Sequence, residues 1–129
     1  MGFSVVDGHR VPIPGELYFQ GYEVQQLVQG FRNSQYGFEE TTYLLLFGDL
    51  PSQEQLDCFK EVLGELRQLP ESFNRDVIMK APSRDMMNVL QKCVLTLYTY
   101  DPDPNNLDIK NVLMQCLQLI AQFPVMAAY

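Results

Sequence analysis

Histidine is almost missing from this chain of 129 residues, and most acid–base chemistry goes with it. The one imidazole, His9, lies in a turn-rich stretch beside Asp7 and Arg10, where no Ser/His/Asp or Cys/His pair can be assembled, so it reads as a solvent-exposed turn residue. Cations are scarce as well. Nine Lys and Arg stand against sixteen Asp and Glu for a formal charge of -7, which leaves little basic surface to release counterions from a phosphate backbone; nucleic acid is not an expected partner. Three cysteines, Cys58, Cys93 and Cys116, have no paired spacing. On the apolar faces of expected helices they read as reduced core residues of a cytoplasmic protein, not as metal ligands or disulfides. The longest unbroken apolar runs, Tyr43 to Phe47 and Val125 to Tyr129, fall far short of the roughly 20 residues of a membrane helix. Met1-Gly2-Phe3-Ser4 has no basic-then-apolar leader pattern, so no membrane association is expected.

What is present is enough for one core. Hydrophobic residues make up 47% of the chain, and a chain this long can bury roughly two-thirds of its unfolded surface. A single domain is expected over 1–129, with a β-hairpin region at 1–22 and a helical region at 23–129. Phe3 to Asp7 and Glu16 to Tyr22 are apolar and aromatic runs separated by the turn-rich Asp7 to Gly15, and read as a β-hairpin or a pair of short strands. From Glu23 the period becomes helical, with Val24, Leu27, Val28 and Phe31 on one face, ended by Gly30 and Asn33-Ser34-Gln35.

Five more helices follow, about six in all. Phe38 to Phe47 is apolar all round in its second half, which predicts that protein surrounds it, and Gly48 is its expected left-handed cap. Ser52 and Gln55 form a capping box for a helix striped by Leu56, Phe59, Leu63 and Leu66. A shorter helix starts at Pro70-Glu71, runs through Phe73, Val77 and Ile78, and stops at Ala81-Pro82. Ser83 is the expected cap of the next, striped by Met86, Met87, Leu90, Cys93, Val94, Leu97 and Tyr98, with Val89, Leu95 and Tyr100 on other faces. It ends at Asp101-Pro102-Asp103-Pro104-Asn105-Asn106. The last helix, Asp108 to Phe123, carries Ile109, Val112, Leu113, Cys116, Leu117 and Ile120, with Met114 and Leu119 off that stripe.

Candidate chemistry is sparse. Asp101 and Asp103 suggest a calcium loop, but Pro102, Pro104 and the lack of a glutamate nine residues on from Asp103 favour a plain turn. The glycines form no phosphate-cradling loop. Glu39 and Glu40 are helix neighbours that point apart, and in a first turn they complement the helix dipole. Met79, Met86, Met87 and Met114 could line an adaptable groove, but their spacing favours core packing. No catalytic, cofactor-binding or metal-ligating residue emerges.

Four segments together resemble the citrate synthase family. Gly21-Tyr22-Glu23-Val24 and Leu27 match a Tyr-x-Gly-Tyr-x-(Ile/Val)-x-x-Leu pattern, with Tyr18 one residue early. Phe38-Glu39-Glu40 through Tyr43-Leu44-Leu45-Leu46 and Gly48-Asp49-Leu50-Pro51 are similar to Phe-Glu-Glu-x-x-Tyr-Leu-Leu-Leu-x-Gly-x-Leu-Pro. Ala81 to Met87 resembles the family's proline turn into a long helix, and Ile120-Ala121-Gln122-Phe123-Pro124 its Ile-Ala-x-x-Pro pattern. Gly30 to Gly37 is longer than the usual connection, and the first 15 residues fit only through Val6-Asp7-Gly8.

The resemblance implies a mainly α fold, part of the family's large domain, and an acyltransferase that condenses acetyl-CoA or propionyl-CoA with oxaloacetate. It implies that the family's catalytic aspartate, histidines and arginines and its CoA-binding segments lie beyond the point matched by Tyr129. The expectation is therefore an amino-terminal structural part of a longer enzyme, without cofactor and inactive alone, whose parent uses acetyl-CoA as substrate. Its expected partners are the rest of the parent chain and a second copy, in a homodimer through helices 83–100 and 108–123. The alternative is a stand-alone helical protein-interaction domain.

Overall fold

The computed structural model describes residues 2–31 and 35–129; the Asn33-Ser34 part of the expected helix stop lies outside them. The chain divides into two compact units, 1–59 and 60–129.

The first unit opens with two hairpins where the sequence suggested one hairpin or strand pair. Strand β1 (Gly2–Val6) pairs antiparallel with β2 (His9–Ile13), Val6 opposite His9 and Gly2 opposite Ile13. The turn between them is the two residues Asp7 and Gly8, at φ 50 and 80. Positive φ at both positions gives the turn whose twist matches the strands. His9 is accordingly not a turn residue but the first residue of β2, and it is exposed. The second hairpin, β3 (Tyr18–Phe19) and β4 (Tyr22–Glu23), turns in the same way at Gln20 and Gly21, with φ 50 and 88. A strand running through Glu16 to Tyr22 does not form, because Gln20-Gly21 folds it back.

Helix α1 (Val24–Gly30) then buries Leu27, and α2 (Gly37–Phe47) places Glu39 and Glu40 in its first turn. Gly48 ends α2 at φ 88, its N–H donating to the Leu44 carbonyl at 2.8 Å; a side chain there would strain the left-handed backbone. Within the unit α2 is not enclosed. Leu44 is fully buried, but Leu45, Leu46 and Phe47 are 47%, 36% and 47% exposed. Tyr43, Phe47 and Phe59 instead form an aromatic triangle with centroids 4.5, 5.4 and 6.2 Å apart, two of the contacts edge-on.

Helix α3 (Gln53–Leu66) starts with the capping box read from sequence: the Gln55 N–H donates to Ser52 Oγ at 3.3 Å and the Ser52 N–H to Gln55 Oε1 at 2.8 Å. Leu56, Phe59 and Leu63 are buried on its stripe.

In the second unit Asn74–Met79 forms a π-helical segment, not an α-helix. Its wider turn sets residues five apart on one side, and so brings Phe73 and Ile78 into one core with Leu90, Cys93 and Met126. Helix α4 (Met86–Leu97) is capped by Asp85, whose carboxylate accepts from the Asn88 N–H at 3.1 Å. Ser83 is not the cap; its Oγ accepts from the Asp85 N–H at 3.1 Å and shapes the approach. A 3-10 turn, Tyr98–Tyr100, extends α4 to the proline-rich loop.

Helix α5 (Ile109–Ala128) overruns the expected stop at Phe123 and continues through Pro124. Packing accompanies the extension: Met126, one residue past the proline's neighbour, is 4% exposed in the core, and its burial offsets part of the cost of the helix hydrogen bond that proline deletes. By length and composition α5 could also cross a membrane, with 20 residues and a mean hydropathy of 1.3, only 22% of that window being buried. Reading unbroken apolar runs missed this, because scattered polar residues interrupt it.

Several core assignments are corrected by exposure. Met79, Met86, Met87 and Met114 are 64%, 62%, 66% and 50% exposed, so they lie on the surface. Cys58 and Cys116 are exposed, and only Cys93 is a core residue. Their stripes are wider than the faces that α3, α4 and α5 bury.

Candidate interaction site between α4 and α5

The second unit carries a groove of about 570 Å³ beside the loop that joins α4 to α5. Hydrogen bonds order the loop and tie it to α5. Asp101 Oδ1 accepts from the Asp103 N–H at 2.9 Å, while Asp101 Oδ2 accepts from Gln115 Nε2 at 2.8 Å. Asp103 Oδ2 accepts from Asn106 Nδ2 at 2.9 Å, and Asn106 Oδ1 accepts from the Asp108 N–H at 2.9 Å. Asn111 Nδ2 reaches the carbonyls of Asp103 and Asn106 at 3.1 and 3.0 Å. Asn111 and Gln115 are one helical turn apart, so a single face of α5 ties down the whole loop. The carboxylates that resembled calcium ligands are thus engaged with amides.

Along the groove α5 presents Gln115, Gln118 and Gln122. Gln122 is 2% exposed and donates to the Gln68 carbonyl at 2.9 Å. The α4 side contributes Val94, Leu95 and Leu97, and the loop end contributes Tyr98 and Tyr100. Tyr98 donates its hydroxyl to Asn105 Oδ1 at 3.1 Å, and the Tyr100 ring meets Phe73 edge-on at 5.9 Å. A second hollow of about 390 Å³ lies along Met87, Leu90, Val94, Leu95 and Phe123.

Both hollows are bordered by large apolar residues that face outward. Leu95 is 74% exposed, Met87 66%, Tyr98 53%, Phe123 42% and Leu119 38%. The glutamine row was not singled out from sequence, although its 3-and-7 spacing in an apolar helix was the available signal. Among the described residues the groove brings together no histidine, and its neighbour Cys93 is fully buried, with burial pushing the thiol up. His9 belongs to the other unit. Among the described residues no three His, Cys, Asp or Glu side chains converge as metal ligands. This surface is chemically suited to contact, offering apolar side chains and amides.

The chain is mainly helical, and in its second unit α4 and α5 keep large apolar side chains outward beside an amide-tied loop. The chain belongs to the citrate synthase family: the family model described as citrate synthase, C-terminal domain, matches residues 2–129. It is 32% identical to 2-methylcitrate synthase 1 of Corynebacterium glutamicum over 118 residues, which is 92% of this chain and 30% of that protein. It is 31% identical to the citrate synthase of Haloferax volcanii over 132 residues, 98% of this chain and 32% of the relative. With the citrate synthase of Saccharolobus solfataricus the identity is 29% over 99 residues, 76% and 24% of the two chains. The chain therefore spans less than a third of the length of these curated relatives.

Proposed function

We propose that this chain is a structural, amino-terminal part of a citrate-synthase-type acyltransferase, one that condenses acetyl-CoA or propionyl-CoA with oxaloacetate, and that its own task is subunit assembly. The observation that carries the reading is the outward apolar surface of α4 and α5, above all Leu95 at 74% exposure in the last turn of α4. Burial of apolar area is worth about 25 cal/mol per Å², so a second copy laid across these helices offsets the cost of leaving them wet. Two-fold self-pairing suits a surface of this kind, since the same patch serves both partners. The Asp101 carboxylate on the groove makes a lipid environment costly there, since a charge in hydrocarbon is expensive; protein is the better cover. The net charge of -7 speaks against nucleic acid, and a cytoplasmic location fits the three free thiols.

The proposed role does not require catalysis by these residues alone. His9, exposed on β2, has no described partner suited to moving a proton from a thioester substrate. Light scattering after size exclusion at micromolar concentration is expected to give twice the chain mass of 14.9 kDa, and Leu95→Glu is expected to return it to the single mass in that dilute range. A monomer at high concentration that ignores Leu95→Glu would refute the assembly role. CoA release from acetyl-CoA and oxaloacetate above a heat-treated control, lost in His9→Ala, would refute inactivity of this segment.

A further inference from the structure

The first hairpin has two unlike edges. In an antiparallel ladder closed by a two-residue turn, the closing pair exchanges both backbone hydrogen bonds, and bonded and non-bonded pairs then alternate. Here Val6 and His9 close the turn. The bonded pairs are therefore Val6/His9, Ser4/Val11 and Gly2/Ile13, and Val5/Arg10 and Phe3/Pro12 are the non-bonded ones. Pro12 sits where no inward N–H is needed. Residues of the non-bonded pairs aim their N–H and C=O away from the hairpin, so each strand has an outer edge.

The outer edge of β2 is blunted. Pro12 has no N–H to offer, and Arg10 carries a charge, folding its guanidinium over the Phe3 ring at 4.6 Å. Proline and charge are the devices that protect sheet edges from further pairing. Strand β1 has neither. Its sequence Gly2-Phe3-Ser4-Val5-Val6 is uncharged in a chain of formal charge -7, and Phe3, Val5 and Val6 are 54%, 63% and 52% exposed.

We propose that the β1 edge is a strand-addition site for β1 of a second copy, giving a four-stranded antiparallel sheet in the order β2, β1, partner β1, partner β2. The strand is complementary to itself. A two-fold axis at Ser4 sets Phe3 opposite the partner's Val5 and Val5 opposite the partner's Phe3, and the N–H and C=O groups of these residues are the ones that point outward. Each pair is aromatic against β-branched, a favoured cross-strand combination. No charge opposes a like charge along the seam. A two-stranded hairpin is marginal alone and gains by becoming part of a wider sheet. The symmetry also closes the sheet: after pairing, its only remaining edges are the two blunted β2 edges, so the sheet itself grows no further than two copies.

Amide exchange of Phe3 and Val5, followed by NMR from micromolar to millimolar chain, tests this directly. Their exchange is expected to slow by about tenfold or more as concentration rises, with nuclear Overhauser contacts between Phe3 of unlabelled chain and Val5 of labelled chain in mixed samples. Val5→Lys is expected to abolish both signals, while the Ser4 amide, bonded within the hairpin, stays protected and reports that the hairpin is intact. The same experiment in Leu95→Glu separates this contact from helix-mediated assembly, because the concentration dependence at Phe3 and Val5 is expected to persist. Rapid, concentration-independent exchange at both residues would overturn the proposal, and so would slow exchange that does not change with dilution, since the edge would then be covered from within the chain.

Discussion

Gln122 donates its side-chain Nε2 to the backbone carbonyl of Gln68 at 2.9 Å, tying α5 to the segment that follows α3 across 54 positions of sequence. The amide is shut off from water at 2% exposure, and its Oε1 has no hydrogen-bond partner. An unpaired buried acceptor costs about 1 to 3 kcal/mol. A charge in its place costs more. Gln122→Glu is expected to lose about 3 kcal/mol or more at pH 7, because the carboxylate is buried without a counter-charge and cannot donate to Gln68. Burial raises the folded pKa of such a carboxyl above its unfolded value of about 4.3. The variant's stability relative to the parent is then retained below the unfolded value and lost as pH rises through the folded one. Urea midpoints at pH 4 and pH 7 check this, and an equal loss at both would show that water reaches the site.

The two neighbouring leucines of α2 separate burial from pattern. Leu44 is fully buried and Leu45 is 47% exposed. Leu44→Ala is expected to cost about 2 to 5 kcal/mol through lost transfer energy and a cavity, and Leu45→Ala under about 1 kcal/mol. Chemical denaturation of the two variants side by side decides it; a larger loss for Leu45 would mean that α2 is enclosed after all, by another copy or another part of the protein.

Local chemistry was legible in the sequence and lateral packing was not. The Ser52/Gln55 box, the Gly48 stop, the Ala81-Pro82 break and the Asp101 loop were all readable, because each is decided within a few residues by backbone and hydrogen-bond geometry. The loop's use of Asn111 and Gln115 was not read, since an amide's partner depends on which helix face turns toward it. Periodicity marks a stripe as apolar without saying how much of it a neighbour covers. Met86 and Met87 illustrate the error: they sit on the stripe of Leu90 and Cys93, but at the first turn of α4, where the core of Phe73, Ile78, Leu90, Cys93 and Met126 has already ended. The π-helical turn and the run of α5 past Pro124 likewise answer to a core in which Met126 joins Phe73 and Ile78 from far along the sequence.

The three thiols are expected to react in two classes. Cys58 and Cys116 are exposed, whereas Cys93 is fully buried and burial raises its thiol above the ordinary 9.0. A neutral aromatic disulfide reagent is expected to titrate two thiols on the native chain and the third only on unfolding. The same shift has a sign for stability: the folded state holds its proton more tightly, so the contribution of Cys93 is present below pH 9 and falls as pH rises beyond it. Mass spectrometry of the labelled peptides identifies the slow site, and rapid labelling at Cys93 would show that α4 opens on the timescale of the reaction.

The loop between α4 and α5 offers a coupling that can be measured as a pair. Asp101 accepts from Gln115 Nε2 at 2.8 Å, in addition to the Asp103 N–H at 2.9 Å. Hydrogen bonds to a charged acceptor contribute about 1.5 to 3 kcal/mol when one partner is deleted. Asp101→Ala removes both bonds and is expected to destabilise more than Gln115→Ala, which leaves the Asp103 contact in place. In the double variant the losses are expected to fall short of additivity by about 1 kcal/mol, the signature of a direct interaction. The same cycle with Asn111→Ala in place of Asp101→Ala discriminates a local bond from general loosening of the loop, because Asn111 contacts the carbonyls of Asp103 and Asn106 and not Gln115. Strict additivity for Asp101 and Gln115 would mean that the loop holds α5 through its backbone alone.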